Sequence, residues 1–207
     1  MMDDKAAVNG EPTIFIVDDD QAVLRSLGAL VKVMFPRVET FASATEFIEA
    51  FDSQRSGCLV LDVAMPGMSG LELQRRLSED KVDLPIVFLT AHGNVQMAVG
   101  AMQAGAVDFL EKPFREQELW ESIRKAVDRD GCNRRRKARR QSIDERIAQL
   151  TRGEREVFDL ILEGKFNKEI AEILNLSVRT VEDRRARLMK KMEAGSVAKL
   201  VQMAMTH

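Results

Sequence analysis

Residues 57–67 read GCLVLDVAMPG, and this stretch decides how the N-terminal half of the chain is interpreted. The apolar run Cys58–Leu61 ends in a single aspartate, Asp62, and a Pro-Gly pair follows a few residues later. A short apolar run bounded by turn-forming residues is typical of a strand that is buried on both faces. The stretch therefore predicts a buried strand with a carboxylate at its carboxyl end.

Apolar runs of this kind alternate with amphipathic stretches up to about residue 130. Strands are predicted at Thr13–Val17, Val38–Phe41, Cys58–Leu61, Ile86–Leu89 and Ala106–Leu110. Helices are predicted at Gln21–Met34, Ala44–Phe51, Gly70–Ser78, Val95–Ala104 and Glu116–Arg129. Such alternation predicts an α/β domain in which a five-stranded parallel sheet is covered by helices on both faces.

The charge distribution separates this half from the rest of the chain. Residues 1–130 contain 13 basic and 22 acidic side chains, whereas residues 131–207 contain 18 basic and 11 acidic ones. A basic run at 134–140 has no apolar periodicity and is interpreted as a linker. Beyond it, helices are predicted near Arg152–Glu163, Asn167–Leu174, Val178–Met192 and Val197–Met205. The basic, all-helical half is a candidate for binding nucleic acid.

These patterns predict four segments. They are a flexible N-terminus at 1–11, the α/β domain at 12–128, a basic linker at 129–146 whose helicity is left open, and a helical domain at 147–207. No apolar run reaches the roughly 20 residues of a membrane-spanning helix, and the first residues do not resemble a secretory signal. Cys58 and Cys132 are interpreted as a buried and an exposed thiol. We expect a cytoplasmic protein without a membrane partner.

Polar side chains follow the ends of four predicted strands. Asp18–Asp20 follow the first strand, Asp62 the third and Thr90 the fourth, and Lys112–Pro113 follow the fifth, with a candidate cis peptide bond. In a parallel sheet these ends meet at one edge, where active sites lie. Clustered carboxylates need a cation among them, and Mg²⁺ suits oxygen ligands. Asp62 is then a candidate nucleophile for an aspartyl phosphate, which Lys112 and Thr90 would stabilise.

This set of residues resembles the CheY-like receiver domain over about residues 12–128. The resemblance implies a flavodoxin-like fold. It rests on the acidic pair Asp18–Asp19, on Asp62 with Met65-Pro66-Gly67 behind it, on Thr90, and on Lys112-Pro113.

The resemblance also implies roles for individual residues. Asp62 would be the phospho-acceptor, phosphorylated by a sensor histidine kinase. Asp19, Asp62 and the backbone carbonyl of Ala64 would bind Mg²⁺ directly, and Asp18 would act mainly through water. Phe109 takes the position of the aromatic switch residue of the family. A phosphorylated chain would form a homodimer through the helix around 95–102 and the fifth strand.

The C-terminal half resembles the LuxR-type (GerE-like) four-helix DNA-binding domain over about residues 147–206. The resemblance rests on LTRGEREV at 150–157, Gly164, NKEIA at 167–171, LNLS at 174–177, Thr180-Val181 and the basic helix that follows. Together with a receiver, such a domain is typical of the NarL/FixJ group of response regulators. We therefore expect promoter DNA as a partner, with RNA polymerase as a further candidate.

The helix that begins after Ser177 is expected to enter the major groove of DNA. Candidate DNA-contacting residues are Lys168, Arg179, Thr180, Asp183, Arg187, Lys190 and Lys191. Arg179 and Thr180 would read bases, whereas Lys168 and Lys191 would bind phosphates. Asp183 either accepts a hydrogen bond from cytosine or pairs with Arg179 or Arg187 four residues away, and the pairing is favoured. The run at 134–140 either adds phosphate contacts or is a solvated linker.

The leading hypothesis is a transcription factor controlled by phosphorylation and without enzymatic turnover. Self-phosphorylation from a small phosphodonor and self-dephosphorylation are left open. A haloacid-dehalogenase-like phosphatase is the enzymatic alternative. Its nucleophile would be Asp18, but Ala22 stands where that family needs Thr or Val. A receiver with a degenerate DNA domain is the third hypothesis, supported only by Glu182 and Asp183 on the basic helix.

Overall fold

The computed structural model describes residues 11–91 and 95–205. The chain divides between Arg134 and Arg135 into two compact units, which we call the α/β unit and the helical unit. The N-terminal segment predicted to be flexible lies, apart from Glu11, outside the described residues. Within the described ranges, no helix is long and apolar enough to cross a membrane.

The α/β unit contains a five-stranded parallel sheet with the strand order β2-β1-β3-β4-β5. Its strands are β1 (Thr13–Val17), β2 (Val38–Phe41), β3 (Gly57–Asp62), β4 (Ile86–Thr90) and β5 (Asp108–Glu111). Its helices are α1 (Gln21–Lys32), α2 (Ala44–Ala50), α3 (Gly70–Glu79), α4 (Val95–Gln103) and α5 (Glu116–Ala148). The predicted fold class of this unit is confirmed.

Local signals explain where these helices begin. Asp20 caps α1 by accepting hydrogen bonds from the backbone amides of residues 22 and 23. Ser69 and Glu72 form a reciprocal capping box at the start of α3. All residues of β1 and β3 are buried, so these central strands carry the two apolar cores on the two faces of the sheet.

Helix α5 differs from its prediction because it continues far beyond Arg129, through the basic run to Ala148. Arginine, lysine, alanine and glutamine are good helix formers, and no proline interrupts the run. A helix without an apolar stripe is invisible to periodicity, which explains the miss. The residues assigned to a linker of undecided structure are therefore helical.

Arg134, the first residue of the basic run whose role the sequence left open, forms hydrogen bonds with the α/β unit. Its Nε donates to the Asp130 carboxylate at 2.9 Å, and its Nη1 donates to the Gln54 carbonyl at 2.9 Å. Asp130 in turn accepts from the Gly57 amide at 3.0 Å. Gly57 has φ +149°, and a Cβ there would lie 1.7 Å from the Thr13 carbonyl oxygen, so only glycine permits this close approach.

The helical unit contains the C-terminal part of α5 together with α6 (Arg152–Leu162), α7 (Asn167–Leu174), α8 (Val178–Lys191) and α9 (Val197–Met205). The predicted helices are confirmed to within one residue at each end. Asn175 adopts the left-handed conformation (φ 53°) between α7 and α8, which asparagine tolerates better than most residues. Thr151 and Ser177 cap α6 and α8. The core of this unit includes Ile143 and Ile147 of α5.

Candidate functional site

The carboxyl ends of β1, β3 and β5 bring three charged side chains into direct contact. Lys112 Nζ lies 2.7 Å from Asp18 Oδ2 and 2.7 Å from Asp62 Oδ1. Lys112 is 94 residues from Asp18 and 50 from Asp62 along the chain. We call Asp18, Asp62 and Lys112 the acidic pocket. It lies at the edge of the sheet where the sequence placed the site, and the Lys112–Pro113 bond is cis as expected.

The two carboxylates of the acidic pocket are almost removed from solvent. Asp18 and Asp62 are 3% and 6% exposed. Backbone amides complete their partners, because residue 20 donates to Asp18 Oδ1 at 2.9 Å and residue 64 donates to Asp62 Oδ2 at 2.7 Å. Partial burial opposes the charge of Lys112, but hydrogen bonds to Asp18 and Asp62 outweigh it and raise the pKa of Lys112. Two carboxylates share one ammonium, so the pocket keeps an excess of negative charge.

The same residues test the predicted Mg²⁺ site. Asp19 is exposed at the rim, next to the buried Asp18. Among the described residues, no three His, Cys, Asp or Glu side chains are grouped as they would be around a metal ion. The Lys112 ammonium lies between two of the predicted acids in this arrangement. The donor chemistry nevertheless fits, because carboxylate and carbonyl oxygens suit Mg²⁺ and each oxygen has two lone pairs.

Thr90 and Phe109 lie on the strands beside the pocket. Thr90 is the last residue of β4 and is 2% exposed, and its carbonyl accepts from the Lys112 amide at 2.7 Å. Phe109 on β5 is half-buried, and its ring lies 6.0 Å from the ring of Phe88. Ala64, the predicted source of a carbonyl ligand, is exposed just beyond β3. All predicted residues of the α/β unit thus lie at or beside one edge of the sheet.

Sequence reasoning missed Gly70, which packs against the backbone of Asp62 and so helps to position the acidic pocket. Its amide donates to the Val63 carbonyl at 3.0 Å. A Cβ at this position would lie 2.2 Å from the carbonyl oxygen of Asp62. The sequence marks Gly70 only as the first residue of a helix, so no local signal shows that it must touch β3.

The second candidate site is the outer face of α8. Arg179, Asp183, Arg187 and Lys190 are all exposed, whereas Val181 on the opposite side is buried. The face therefore presents three basic side chains and one acid to solvent, as the helical period predicted. Such a surface can bind the phosphates and base edges of DNA.

Thr180 belongs to the start of the helix as much as to this face. Its hydroxyl lies 2.8 Å from Ser177 Oγ, which also accepts from the Thr180 amide at 3.1 Å. Lys168 is exposed on α7. Arg185, which the sequence did not single out, donates to Asn167 Oδ1 at 2.6 Å and so joins α8 to α7.

The ion pair favoured for Asp183 is not formed. Within the described chain, its carboxylate pairs with neither Arg179 nor Arg187, and Arg187 Nε donates to the backbone carbonyl of Asp183 at 3.2 Å instead. A long basic side chain can donate to a backbone carbonyl of its own helix instead of to a carboxylate. The spacing of residues in the sequence does not show which of the two it does. The Asp183 carboxylate therefore remains exposed to a ligand.

Lys191 has a structural role that the prediction missed. Its Nζ donates to Glu154 Oε2 at 2.6 Å and to the Gln149 carbonyl at 3.1 Å. Hydrogen bonds from Lys191 and from the Thr151 amide lower the pKa of the buried Glu154 to about 2. Lys191 thus holds the end of α8 against the capping box of α6, and a phosphate would have to compete with Glu154.

Comparisons with known proteins match both units of the chain. The profile of the response regulator receiver domain matches residues 14–124, and that of the bacterial regulatory proteins of the luxR family matches residues 148–204. Response regulator protein TodT of Pseudomonas putida is 42% identical over 200 residues, which are 97% of this chain and 86% of TodT. Transcriptional regulatory protein FixJ of Azorhizobium caulinodans is 40% identical over 192 residues, or 93% and 91% of the two chains.

A solved structure extends this similarity to three dimensions. The structure of the response regulator StyR matches with a TM-score of 0.86 and 40% identity. The match covers 96% of this chain and 100% of that chain. The similarity therefore includes both units and not one module alone.

Proposed function

This chain belongs to the NarL/FixJ family of response regulators, which join a receiver domain to a LuxR-type DNA-binding domain, and from this premise we propose that phosphorylation of Asp62 controls DNA binding by α8. The acidic pocket carries the proposal, since Lys112 lies 2.7 Å from both Asp18 and Asp62. The matches to receiver and luxR families support this reading over a phosphatase whose nucleophile is Asp18.

The proposed chemistry is transfer of a phosphoryl group from a histidine kinase. An Asp62 oxygen forms a bond to phosphorus, the P–N bond to the kinase histidine breaks, and the imidazole keeps the electron pair. Lys112 already lies against Asp62 and would neutralise one phosphoryl oxygen, and the Thr90 hydroxyl would donate to another. Catalysis of phosphoryl transfer depends mostly on positioning and on charge compensation of this kind.

A bound Mg²⁺ would supply further positive charge to the incoming phosphoryl oxygens. Asp18, Asp19, Asp62 and the Ala64 carbonyl are the residues that would hold it. Removing Mg²⁺ with a chelator is then expected to slow phosphorylation, because the pocket keeps an excess negative charge that repels a phosphoryl donor.

Phosphorylation would act through β5 and α4. The Lys112 amide bonds the Thr90 carbonyl, so movement at β4 reaches β5 directly, and Phe109 is half-buried beside this contact. On α4, Val95, Val99 and Met102 are 79%, 47% and 45% exposed. An apolar surface of this kind suits a homodimer of phosphorylated chains.

DNA binding is assigned to the outer face of α8. Arg179 and Thr180 would read base edges, and Lys168, Arg187 and Lys190 would bind phosphates. The exposed Asp183 carboxylate could accept from a cytosine amine. Promoter DNA is the partner that this role requires, and RNA polymerase bound there is a further candidate. A role on promoter DNA would imply a location in the bacterial cytoplasm.

Labelling with acetyl phosphate tests the acceptor. The wild-type chain should take up one phosphoryl group, and Asp62→Asn should reduce the label to background because an amide oxygen is a poor nucleophile. Asp52→Asn is the matched control, since Asp52 is an exposed turn residue whose carboxylate accepts a hydrogen bond from the local Gln54 amide. Label that persists in Asp62→Asn, or steady release of phosphate from an ester substrate, would refute the assignment.

Selection of bound sequences from random DNA tests the second step. We expect the wild-type chain to enrich one sequence more strongly in the presence of acetyl phosphate, and the Asp62→Asn chain to show no such dependence. Enrichment that is equal with and without the phosphodonor would separate DNA binding from the acidic pocket.

A further inference from the structure

The basic run of α5 has no role in the function proposed above. It contains six basic residues within positions 134–140. Arg134 is committed to Asp130 and belongs to the α/β unit. The others belong to the helical unit, and Arg136, Arg139 and Arg140 among them are exposed.

These three arginines share one face of the helix. Each residue of an α-helix advances by about 100°, so Arg136, Arg139 and Arg140 fall within an arc of about 100°. We call them the arginine stripe. Ile143 and Ile147 fall within the same arc, and they are 2% and 8% exposed because they pack in the core of the helical unit.

The arginine stripe therefore extends from the core of the helical unit on one continuous helix. Ile143 and Ile147 anchor the helix from one side, and Arg146 fastens it to the end of α8. Its Nη1 donates to the Met192 carbonyl at 3.1 Å and its Nη2 lies 2.8 Å from Glu193 Oε2. The arginine stripe lies on the same side of α5 as Ile143 and Ile147, but nearer the start of the helix, where the side chains are exposed.

The chemistry of the arginine stripe fits a row of phosphates. Positions 131–143 contain no Asp or Glu, and in the described part of the chain none of the three arginines forms an ion pair. The stripe rises about 6 Å along the helix, close to the roughly 7 Å that three successive phosphates span along one strand of a duplex at about 3.4 Å per charge. Planar guanidinium groups bind phosphate oxygens in pairs.

An anionic membrane is a poorer match for this segment. A helix that lies on a membrane surface needs an apolar face beside its basic one. Between residues 131 and 142 the apolar side chains are Cys132 and Ala138 only. We propose that the arginine stripe binds the phosphate backbone of DNA next to the sequence contacted by α8, and this rests on the DNA binding proposed for α8.

The salt dependence of DNA binding by the full chain tests this site. The variant R136Q/R139Q/R140Q keeps good helix formers at exposed positions, so it should fold, as circular dichroism would verify. Each lost phosphate contact lowers the slope of log K against log salt by about 0.9, so the variant should lose about 3. Affinity should fall on the order of 10- to 100-fold at low salt, equally for a selected duplex and a random one.

A matched control removes the same charge elsewhere. R25Q/K32Q/R124Q changes three exposed basic residues of the α/β unit and should leave the slope within about 1 of the wild-type value. A stripe variant with the wild-type slope, or a control variant with the same loss, overturns the proposal. Loss of binding to phosphatidylglycerol vesicles with unchanged DNA binding would overturn it in favour of a membrane.

The two proposals fail in different ways. If α8 reads sequence, Arg179→Ala should lower the preference for the selected duplex over the random one, whereas the stripe variant should keep that preference. A wild-type chain that binds random DNA without any sequence preference contradicts the function proposed for α8. The difference in salt slope between the stripe variant and its control would still show whether the arginine stripe binds DNA phosphates.

Discussion

We propose phosphate-binding roles for both the acidic pocket and the outer face of α8, yet the two sites are built in opposite ways. In the pocket, Lys112 meets carboxylates 94 and 50 residues away, and the two acids are almost fully buried. On α8, Arg179, Arg187 and Lys190 follow one another on a single helix and are exposed. Contacts within the fold define the first site, whereas the second is completed only by its ligand.

The charged residues that hold α8 in the helical unit resemble the acidic pocket, because contacts within the fold fix them. Lys191 bonds Glu154, which is buried, and Arg185 bonds Asn167 on α7. One helix therefore presents basic residues to a ligand on its outer face and spends others on its own packing. Basic charge on a helix is a weak predictor of DNA contact until the burial of each side chain is known.

Among substitutions that test this comparison, the largest effect on stability is expected at Gly70. Gly70→Ala places a Cβ against the Asp62 carbonyl and forces the backbone apart, so the free energy of unfolding should fall by about 3 kcal/mol. Acetyl-phosphate labelling should slow as well. Urea unfolding followed by the fluorescence of Trp120, the single tryptophan, measures the loss in the α/β unit.

Gly100→Ala is the control for that experiment. Gly100 lies in α4 with no atom within 4 Å of an added Cβ, so alanine should stabilise the helix by up to about 1 kcal/mol. Equal destabilisation by both substitutions would show that helix propensity, and not the contact with β3, governs Gly70.

A smaller effect is expected at Glu154, the buried acid of the helical unit. Its folded pKa of about 2 lies below the ordinary 4.5, so its stabilisation is complete above pH 4.5 and disappears as the pH falls towards 2. Glu154→Gln should therefore lower stability by about 1 kcal/mol at pH 7. The difference from the wild type should shrink steadily below pH 4.5 in thermal unfolding followed by circular dichroism.

Glu172→Gln provides the comparison, because Glu172 is exposed on α7 and forms no ion pair in the described chain. Its substitution should leave the pH dependence of unfolding unchanged. A constant difference between Glu154→Gln and the wild type from pH 7 to pH 2 would show that Lys191 does not stabilise the ionised carboxylate.

The smallest effect on stability is expected at Asp183. Asp183→Asn should change the free energy of unfolding by less than about 0.5 kcal/mol, because no partner is lost. It should instead alter the bases enriched at one position in a selection experiment. Clear destabilisation without any change in base preference would mean that the carboxylate serves the fold and that the two sites differ less than we propose.

Much of the fold could be predicted because its signals are local. Apolar strand runs and the helical period depend on neighbouring residues, and the structure confirms the strands and helices that they predict. The end of α5 could not be predicted, since a basic helix without an apolar stripe has no periodic signature. The start of β5 was placed at Ala106 instead of Asp108, because an apolar run does not show which residues find hydrogen-bonding partners.

The sequence by itself determined which strand ends carry Asp18, Asp62 and Lys112, and which face of α8 is basic, because both follow from order along the chain and helical period. Only the tertiary structure decided that Lys112 bridges the two acids and that Lys191 turns to Glu154. A long charged side chain can reach several groups. Which of them becomes its hydrogen-bonding partner depends on which groups packing has removed from water. That choice is absent from local sequence and appears only when distant elements meet.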